Sequence, residues 1–326
     1  MPFSHHSHSG QFCMHAKDTL EEMIQEAIRR GMKVFALTEH APRDQMVDLY
    51  PEEVRAQQTP FDLFNTFLQF YNTALLLRAK YSSQIHLLVG CEAEYIRPTS
   101  IPLMRELCAQ FRFDFLIGSV HHVNTIPIDF DKELYQKALL SLGPDATEDM
   151  LFEQYLDDQL IMLEEVKPAV VGHFDLIRLM SDDPKRMMST YGERVWAKVL
   201  RNLEAVKFYG GLLEMNSAAI RKGWDTPYPG RDICETWISM GGRFTFSDDS
   251  HGVFQIGLNY HHLLAYCQSL NLKEIHYLIK LPMGEMAVDV LDACAVRALS
   301  LEELVKHPFW EMDREERKNN EQEKAS

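Results

Sequence analysis

Histidine and acidic residues recur along this sequence in short motifs that could together bind metal ions. Imidazole nitrogen and carboxylate oxygen, without thiolate, are donors typical of Zn, Mn or Fe in catalytic rather than structural sites. One His-x-His pair is a weak signal, because residues i and i+2 share a face in any strand. Six separate motifs are a stronger one, since a structural role would not select ligand types in all of them. The motifs are HSH at 6–8, TEH at 38–40, GCEAE at 90–94, GSVHH at 118–122, GHFD at 172–175 and SDDSH at 247–251.

Each motif stands at the end of a short apolar run that is predicted to be a β-strand. Several runs are continuously hydrophobic, as in parallel strands buried on both faces, and helical patterns separate them. This alternation predicts an α/β fold, and in a β/α barrel the carboxyl ends of the strands meet at one face. We therefore expect the six motifs to share one cleft. The seven predicted strands are 2–6, 34–38, 86–92, 113–120, 169–173, 211–216 and 243–247.

Helical patterns connect these strands. In DTLEEMIQEAIRRG, Asp18 is the predicted N-cap, Glu21 completes a capping box, and Gly31 ends the helix. A similar pattern precedes the sixth strand. The segments 50–79 and 144–166 are longer than a crossover requires, and they are predicted to be helical excursions that shape the mouth of the cleft.

The composition indicates one globular domain followed by a short tail. The chain has 326 residues, of which 46% are hydrophobic and 25% charged, and no Gly/Ser/Pro-rich linker divides it. We expect a single domain over 1–310. The segment 311–326 is charged and nearly free of apolar residues, so we expect it to be flexible.

Charge and cysteine content limit the function classes. The chain has 33 basic and 48 acidic residues, a net charge of -15, which disfavours nucleic acid and anionic membranes as partners. No apolar run reaches the ~20 residues that span a bilayer, and the first residues do not resemble a signal peptide. Six cysteines without a Cys-x-x-Cys pair suggest reduced thiols, so the predicted location is the cytoplasm. The sequence does not indicate the oligomeric state.

Taken together, the motifs resemble the polymerase-and-histidinol-phosphatase (PHP) family, and within it the histidinol-phosphate phosphatase branch. The resemblance implies a distorted seven-stranded, TIM-like β/α barrel, a cluster of two to three divalent ions, and hydrolysis of L-histidinol phosphate in histidine biosynthesis. The residues that carry it are the N-terminal HxH, FCMHAKD with His15, LTEH, GCEAEY, GSVHH, GHFDLIR, LEMNSAAIRKG and SDDSHG.

The resemblance also implies metal ligands and catalytic residues. His5 and His122 are excluded because strand alternation turns them away from His6 and His121. The catalytic group comprises Glu92, Asp249 and His251. The implied ligands are His6, His8, Glu92 and Asp249 for a first ion, Glu92 as a bridge with His121 and His173 for a second, and His15, His40 and His251 for a third.

Two groups of residues are candidates for contact with the substrate. Arg43, Arg221 and Lys222 follow strands and could hold phosphate oxygens at the mouth, although solvated loop cations are an equally good interpretation. Glu94 and Asp248 could receive the ammonium group of an amino-alcohol phosphate.

Three alternatives remain open. A PHP phosphoesterase of other specificity, including an exonuclease, would share most motifs, but the acidic charge disfavours a polynucleotide. A metal-dependent amidohydrolase also begins with HxH, but the NSAAIRKG segment and the set His15, His40 and His251 would be unexpected. A non-catalytic metal-binding barrel would be signalled by lost ligands, and none is lost.

Overall fold

Parallel β-strands form the centre of the structure, a computed structural model that describes residues 2–281 and 287–310. All seven predicted strand positions contain a strand. The tail predicted at 311–326 lies outside the described residues. The strands of the described residues are β1 (Phe3–Ser4), β2 (Val34–Leu37), β3 (His86–Val89), β4 (Cys91–Glu94), β5 (Leu116–Ser119), β6 (His122–Val123), β7 (Ile126–Pro127), β8 (Val170–Val171), β9 (Leu212–Asn216), β10 (Arg243–Ser247), β11 (Glu274–Lys280), β12 (Val290–Leu291) and β13 (Cys294–Ser300).

The parallel strands form two sheets. β1, β2 and β3 form a three-stranded sheet, and the second sheet has the order β10-β9-β8-β5-β4. Backbone contacts connect their edges, since His5 N donates to Phe246 O (3.2 Å) and His40 forms a parallel bridge with Glu92. Apolar side chains of both sheets belong to one hydrophobic core. The chain is therefore an α/β single-domain fold whose strand ends lie close together.

The third predicted strand differs from the prediction, because 86–92 is broken at Gly90. β3 pairs with β2, whereas β4 pairs with β5, so the chain passes from one sheet to the other at this point. A Cβ atom at Gly90 would lie 2.8 Å from the carbonyl oxygen of Phe115. Glycine is thus the residue that permits this close backbone approach, and β4 then carries Glu92 and Glu94.

Helices surround the sheets and fill the predicted connections. The segment 50–79 contains α2 and α3, and the segment 144–166 contains α6. No helix of the described residues is long and apolar enough to cross a membrane. The helices are α1 (Leu20–Arg29), α2 (Pro51–Arg55), α3 (Pro60–Lys80), α4 (Ser100–Gln110), α5 (Lys132–Leu140), α6 (Glu148–Glu165), α7 (Glu193–Tyr209), α8 (Ala218–Arg221), α9 (Arg231–Ser239), α10 (Tyr260–Ser269) and α11 (Leu301–Leu304).

The N-terminus of α1 corrects the predicted cap by one residue. Thr19 is the N-cap, and its capping-box partner is Glu22 rather than Glu21. Asp18 has a φ of 65°, and its carboxylate accepts a hydrogen bond from the backbone N of Val253 (2.9 Å). Asp18 is thus engaged in tertiary contact, which leaves the next hydroxyl to cap the helix. The predicted stop at Gly31 is confirmed by its φ of 75° just after the helix.

An antiparallel sheet near the C-terminus was not predicted. It has the order β11-β13-β12 and lies against the first strand of the chain. The backbone N of Leu278 in β11 donates to Nε2 of His5 (2.9 Å), and Thr245 Oγ1 contacts the other ring nitrogen at 3.1 Å. His5 therefore points away from the strand-end cleft, and burial lowers its pKa to about 4.

Candidate metal centre

The end of β1 places two imidazoles side by side in the interior. Nδ1 of His6 donates to Glu214 (2.8 Å), and Nδ1 of His8 lies 3.3 Å from a carboxylate oxygen of Glu39. These contacts turn both Nε2 atoms inward. Each is buried and without a hydrogen-bond partner, as expected of nitrogen lone pairs directed at an ion.

Glu92 lies at the centre of the histidines. Its Oε1 is 3.3 Å from Nε2 of His6, 3.3 Å from Nε2 of His121 and 3.2 Å from Nε2 of His173. Its Oε2 is 3.4 Å from Nε2 of His8 and 2.7 Å from Nδ1 of His40. The two carboxylate oxygens thus face different groups of imidazoles, which is an arrangement suited to a ligand that bridges two ions.

The SDDSH motif contributes Asp249 and His251. Oδ1 of Asp249 lies 3.6 Å from Nε2 of His6 and 3.5 Å from Nε2 of His8. Nδ1 of His251 donates to the backbone oxygen of Asp249 (2.9 Å), and the ring lies 4.5 Å from that of His8 between centroids. Asp249 has a φ of 47°, a left-handed conformation that aspartate tolerates better than most residues. This bend places the carboxylate on the floor of the cleft.

A third group of donors lies toward solvent. His15, His40 and His251 offer ring nitrogens that all lie within 4.8 Å of one another, and the sulfur of Cys13 belongs to the same group. Cys13 Sγ is 3.2 Å from Nε2 of His15. The sequence motifs predicted no thiolate, so this sulfur is a difference from the prediction. Burial raises the pKa of the Cys13 thiol well above its usual value.

The electrostatics of the cluster are those of coupled carboxylates and imidazoles. Burial alone would raise the pKa of Glu92, but His6 and His40 hold it well below its usual value. Burial would also raise the pKa of Asp249, and His6 again lowers it strongly. Both carboxylates are therefore ionised at neutral pH. Anionic oxygens beside inward-facing imidazole nitrogens fit divalent transition metals, and all nine predicted ligands lie in this cluster.

A cavity of about 340 Å³ opens above the cluster. Seven of the predicted ligands line it, together with Arg221 and Lys222. The guanidinium of Arg221 donates to the backbone oxygens of Asp248 and Asp249 (3.3 Å each), and the Lys222 side chain is exposed. Helix α6 contributes none of the lining residues, so only the first of the two predicted excursions reaches the mouth. The other lining residues are Tyr50, Asp129, Phe130 and Leu176.

Arg43 lies elsewhere than predicted. It is buried against Glu53, with which it forms an ion pair, and its guanidinium lies 4.6 Å from the centre of the Tyr50 ring. Arg43 lines a neighbouring cavity rather than the one above the cluster. Its charge is already matched inside the protein, so the expectation that it overhangs the mouth is wrong.

Glu94 and Asp248 are also directed away from the cavity. Oε1 of Glu94 accepts hydrogen bonds from Nδ1 of His121 (3.2 Å) and Nδ1 of His122 (2.6 Å). Asp248 accepts from Ser4 Oγ (2.9 Å) and from the backbone N of Gly257 (2.6 Å), and burial raises its pKa to about 6. Neither carboxylate lines the cavity. The expectation that they contact the ammonium group of a substrate there is therefore wrong.

Residues 4–218 match the family model described as the PHP domain. The chain belongs to the PHP family. Its relatives place it in the histidinol-phosphatase branch. A protein of Schizosaccharomyces pombe named "Probable histidinol-phosphatase" is 44% identical over 88% of this chain and 93% of its own length. The histidinol-phosphatase of Saccharomyces cerevisiae is 30% identical over 94% of this chain and 98% of its own length.

A solved structure shares the fold of this PHP chain. The histidinol phosphate phosphatase of Lactococcus lactis, crystallised with zinc, L-histidinol and phosphate, has a TM-score of 0.62. It is 19% identical in sequence, and the match covers 84% of this chain and 95% of the other. At this identity the likeness concerns the fold.

Two carboxylates of the PHP site were missed by sequence reasoning. Glu39 holds His8, and Glu214 contacts three parts of the site, since it also accepts from the backbone N of His173 (2.7 Å) and from Ser247. Both stand in motifs already noted, TEH and LEMN. The available signal was an acidic residue within or just after a core strand, Glu214 in β9 and Glu39 after β2, where it can orient an imidazole.

Proposed function

We propose that this protein hydrolyses L-histidinol phosphate to L-histidinol and phosphate, using two to three divalent ions of Zn, Mn or Fe. The observation that carries the proposal is the group of buried donors around Glu92 on the floor of a cavity with Arg221 and Lys222 at its rim. The names of the relatives that are 44% and 30% identical support the substrate. The reaction is a step of histidine biosynthesis.

The proposed ligand sets follow the donor groups. Glu92 would hold two ions, because its two oxygens face separate imidazoles. His121 and His173, whose Nε2 atoms are 3.3 Å apart, would hold one ion with Glu92. The other sets are His6, His8, Glu92 and Asp249, and His15, His40 and His251, with the Cys13 sulfur beside the last.

When bound, the ions would neutralise phosphate oxygens and lower the pKa of a water molecule, so that a nucleophile is available at neutral pH. The chain itself supplies the orientation. Arg221 is fixed by backbone oxygens of Asp248 and Asp249, and its remaining N–H groups are available to phosphate. Lys222 adds a mobile positive charge beside it. Glu39 and Glu214 keep His8 and His6 in the orientation that ligation needs.

We also propose that the strands form a barrel and that a single domain contains it. The two parallel sheets act as one distorted seven-stranded barrel within a domain that spans 1–310. Hydrogen bonds across both sheet edges support it, namely His5 N to Phe246 O (3.2 Å), His8 N to Ser250 O (2.8 Å) and Ala41 N to Glu92 O (2.9 Å). With the edges joined, every predicted ligand motif opens at one mouth.

The test is phosphate release from four substrates by the full chain, with and without a chelator. L-Histidinol phosphate should be hydrolysed with a kcat/KM well above those of phosphoserine, 4-nitrophenyl phosphate and an oligonucleotide, because both of its ends can be positioned. Chelation should abolish the activity, and added Zn²⁺ or Mn²⁺ should restore it. Equal rates on all three small esters would contradict the substrate and leave a general phosphoesterase.

A further inference from the structure

Asp129 is a carboxylate in the cavity that the metal centre does not use. It lines the cavity but belongs to none of the donor groups that could hold an ion. Its Oδ1 atom is buried without a hydrogen-bond partner, and the side chain forms no ion pair with a lysine or arginine of residues 2–281 and 287–310. A desolvated carboxylate oxygen is costly unless a cation or donor meets it. A ligand in the cavity could therefore supply the hydrogen-bond donor or cation that Oδ1 of Asp129 lacks.

The backbone holds Asp129 in a fixed relation to the metal centre. Strands β6 and β7 form a hairpin whose two turn residues, Asn124 and Thr125, have φ values of 48° and 66°. Directly after the hairpin, the backbone N of Ile128 donates to the carbonyl oxygen of His121 (2.9 Å). Asp131 then caps α5 by accepting from Leu134 N (2.8 Å). The backbone on both sides of Asp129 is thus held in place, and the preceding residue, Ile128, is hydrogen-bonded directly to His121.

Aromatic rings lie beside this carboxylate. Phe130 and Tyr50 both line the cavity, and their rings are nearly parallel, with centroids 6.3 Å apart and an interplanar angle of 20°. Phe130 is 38% exposed, so part of its surface is available to a ligand. Aromatic faces attract cations and pack against planar rings. This wall would favour a cationic or heteroaromatic group over an aliphatic one.

The charges that line the cavity and are not proposed ligands have opposite signs. Arg221 and Lys222 are the positive side chains, and Asp129 is the negative one. A substrate with a phosphate at one end and a protonated nitrogen at the other matches this distribution. Glu94 and Asp248 cannot compete for the nitrogen, because both are buried and hydrogen-bonded inside the protein.

We infer that Asp129, with Tyr50 and Phe130, forms a subsite for the protonated nitrogen of the leaving alcohol. This rests on the proposed function and assigns the end of the substrate that sets its specificity. The ligand class is an alcohol that carries an ammonium or imidazolium group. Because this group does not react, the subsite acts by positioning the substrate, so its loss affects only substrates that carry the nitrogen.

The test compares the metal-loaded full chain with Asp129→Asn, which keeps the shape and removes the charge. The kcat/KM for L-histidinol phosphate should fall about 10- to 100-fold, the value of one charged hydrogen bond, whereas that for 4-nitrophenyl phosphate should change less than about 3-fold. Binding of the product gives a second measurement. By calorimetry, the Kd of L-histidinol should rise about 10-fold or more, and that of inorganic phosphate should stay the same.

Two further variants and the metal content serve as controls. Asp145→Asn removes an exposed carboxylate between α5 and α6 and should leave all four values unchanged. Asp129→Glu keeps the charge and should recover most of the preference for L-histidinol phosphate. An equal loss on both esters, unchanged L-histidinol binding, or a lower metal content in Asp129→Asn would overturn the subsite. Failure of the wild-type protein on L-histidinol phosphate would instead reject the proposed function.

Discussion

The floor and the rim of the cavity are built in different ways. The floor comprises the proposed ligands at the strand ends, and its buried rings are held by second contacts, as His6 is by Glu214. The rim comprises Arg221, Lys222, Asp129 and Phe130, which stand in loops or at the end of a short helix and are more exposed. The floor is thus defined by the sheets, and the rim by the connections between them.

This difference separates reaction from specificity. Ions held by the floor would act on any phosphate monoester, because they contact only the group that is transferred. Side chains of the rim contact the parts of the substrate that vary. Floor variants should therefore lower kcat on all phosphate esters alike. At the rim, a change at the phosphate end should weaken the binding of every ester, whereas a change at Asp129 should affect only esters that carry a protonated nitrogen.

The largest effect is expected for the centre of the floor. Glu92→Gln removes the charge that two ions would share, and kcat should fall by about 10³-fold or more on L-histidinol phosphate and 4-nitrophenyl phosphate alike. Steady-state kinetics and metal analysis of the same sample measure this. His86→Ala is the control, since His86 belongs to none of the donor groups and its Nε2 accepts a hydrogen bond from Lys280 N (3.0 Å). Similar losses in both variants would show that the third strand has been misassigned.

A smaller loss is expected for a residue behind the floor. Glu214→Gln weakens the hold on Nδ1 of His6, and metal affinity and kcat should each fall about 10- to 100-fold, as for other partners of metal-bound histidines. Titration with a competing chelator measures the affinity. Saturating metal should recover part of kcat. A loss of kcat with unchanged metal affinity would argue against this role for Glu214.

At the phosphate end of the rim, Arg221→Met should raise KM for both esters by about 10-fold, the value of one charge-assisted hydrogen bond. The metal content should not change. Inhibition by inorganic phosphate checks the same contact without turnover. If phosphate inhibited the variant as strongly as the wild type, Arg221 would not contact the transferred group.

The smallest of these effects is expected for Glu94. This carboxylate accepts hydrogen bonds from His121 and His122, so Glu94→Gln should lower kcat/KM only about 3- to 10-fold, and equally for both esters. Asp129→Asn should behave differently, because it should lower kcat/KM for L-histidinol phosphate much more than for 4-nitrophenyl phosphate. A loss confined to L-histidinol phosphate would place Glu94 on the rim after all.

The floor could be predicted from the sequence, and the rim only in part. Arg221 and Lys222 line the cavity as expected, whereas Arg43 does not. Parallel strands bring their carboxyl ends together, so the identity of the residue at each end is enough to gather the donors. Beyond the strand end, the direction of a side chain depends on tertiary partners that one sequence does not reveal. Arg43 is directed inward because Glu53 pairs with it, and Asp248 because its carboxylate accepts hydrogen bonds from Ser4 Oγ and Gly257 N in the core.

The same limit applies to the fold. Hydrophobic runs located the strands of both parallel sheets, but the break at Gly90 depends on a contact with Phe115, which directly precedes β5. The antiparallel sheet of β11, β12 and β13 has mixed burial, so the pattern of its residues was weaker. Local patterns therefore predicted elements, while long-range contacts decided their breaks and their partners.

The most direct test of the account is the metal content of the protein. The full chain, purified without added metal and then reconstituted and desalted, should hold two to three Zn²⁺ or Mn²⁺ ions per chain by elemental analysis. The Glu92→Gln variant should hold fewer, because its bridging charge is lost. Fewer than two ions per wild-type chain after reconstitution would contradict the metal centre, and with it the proposed reaction.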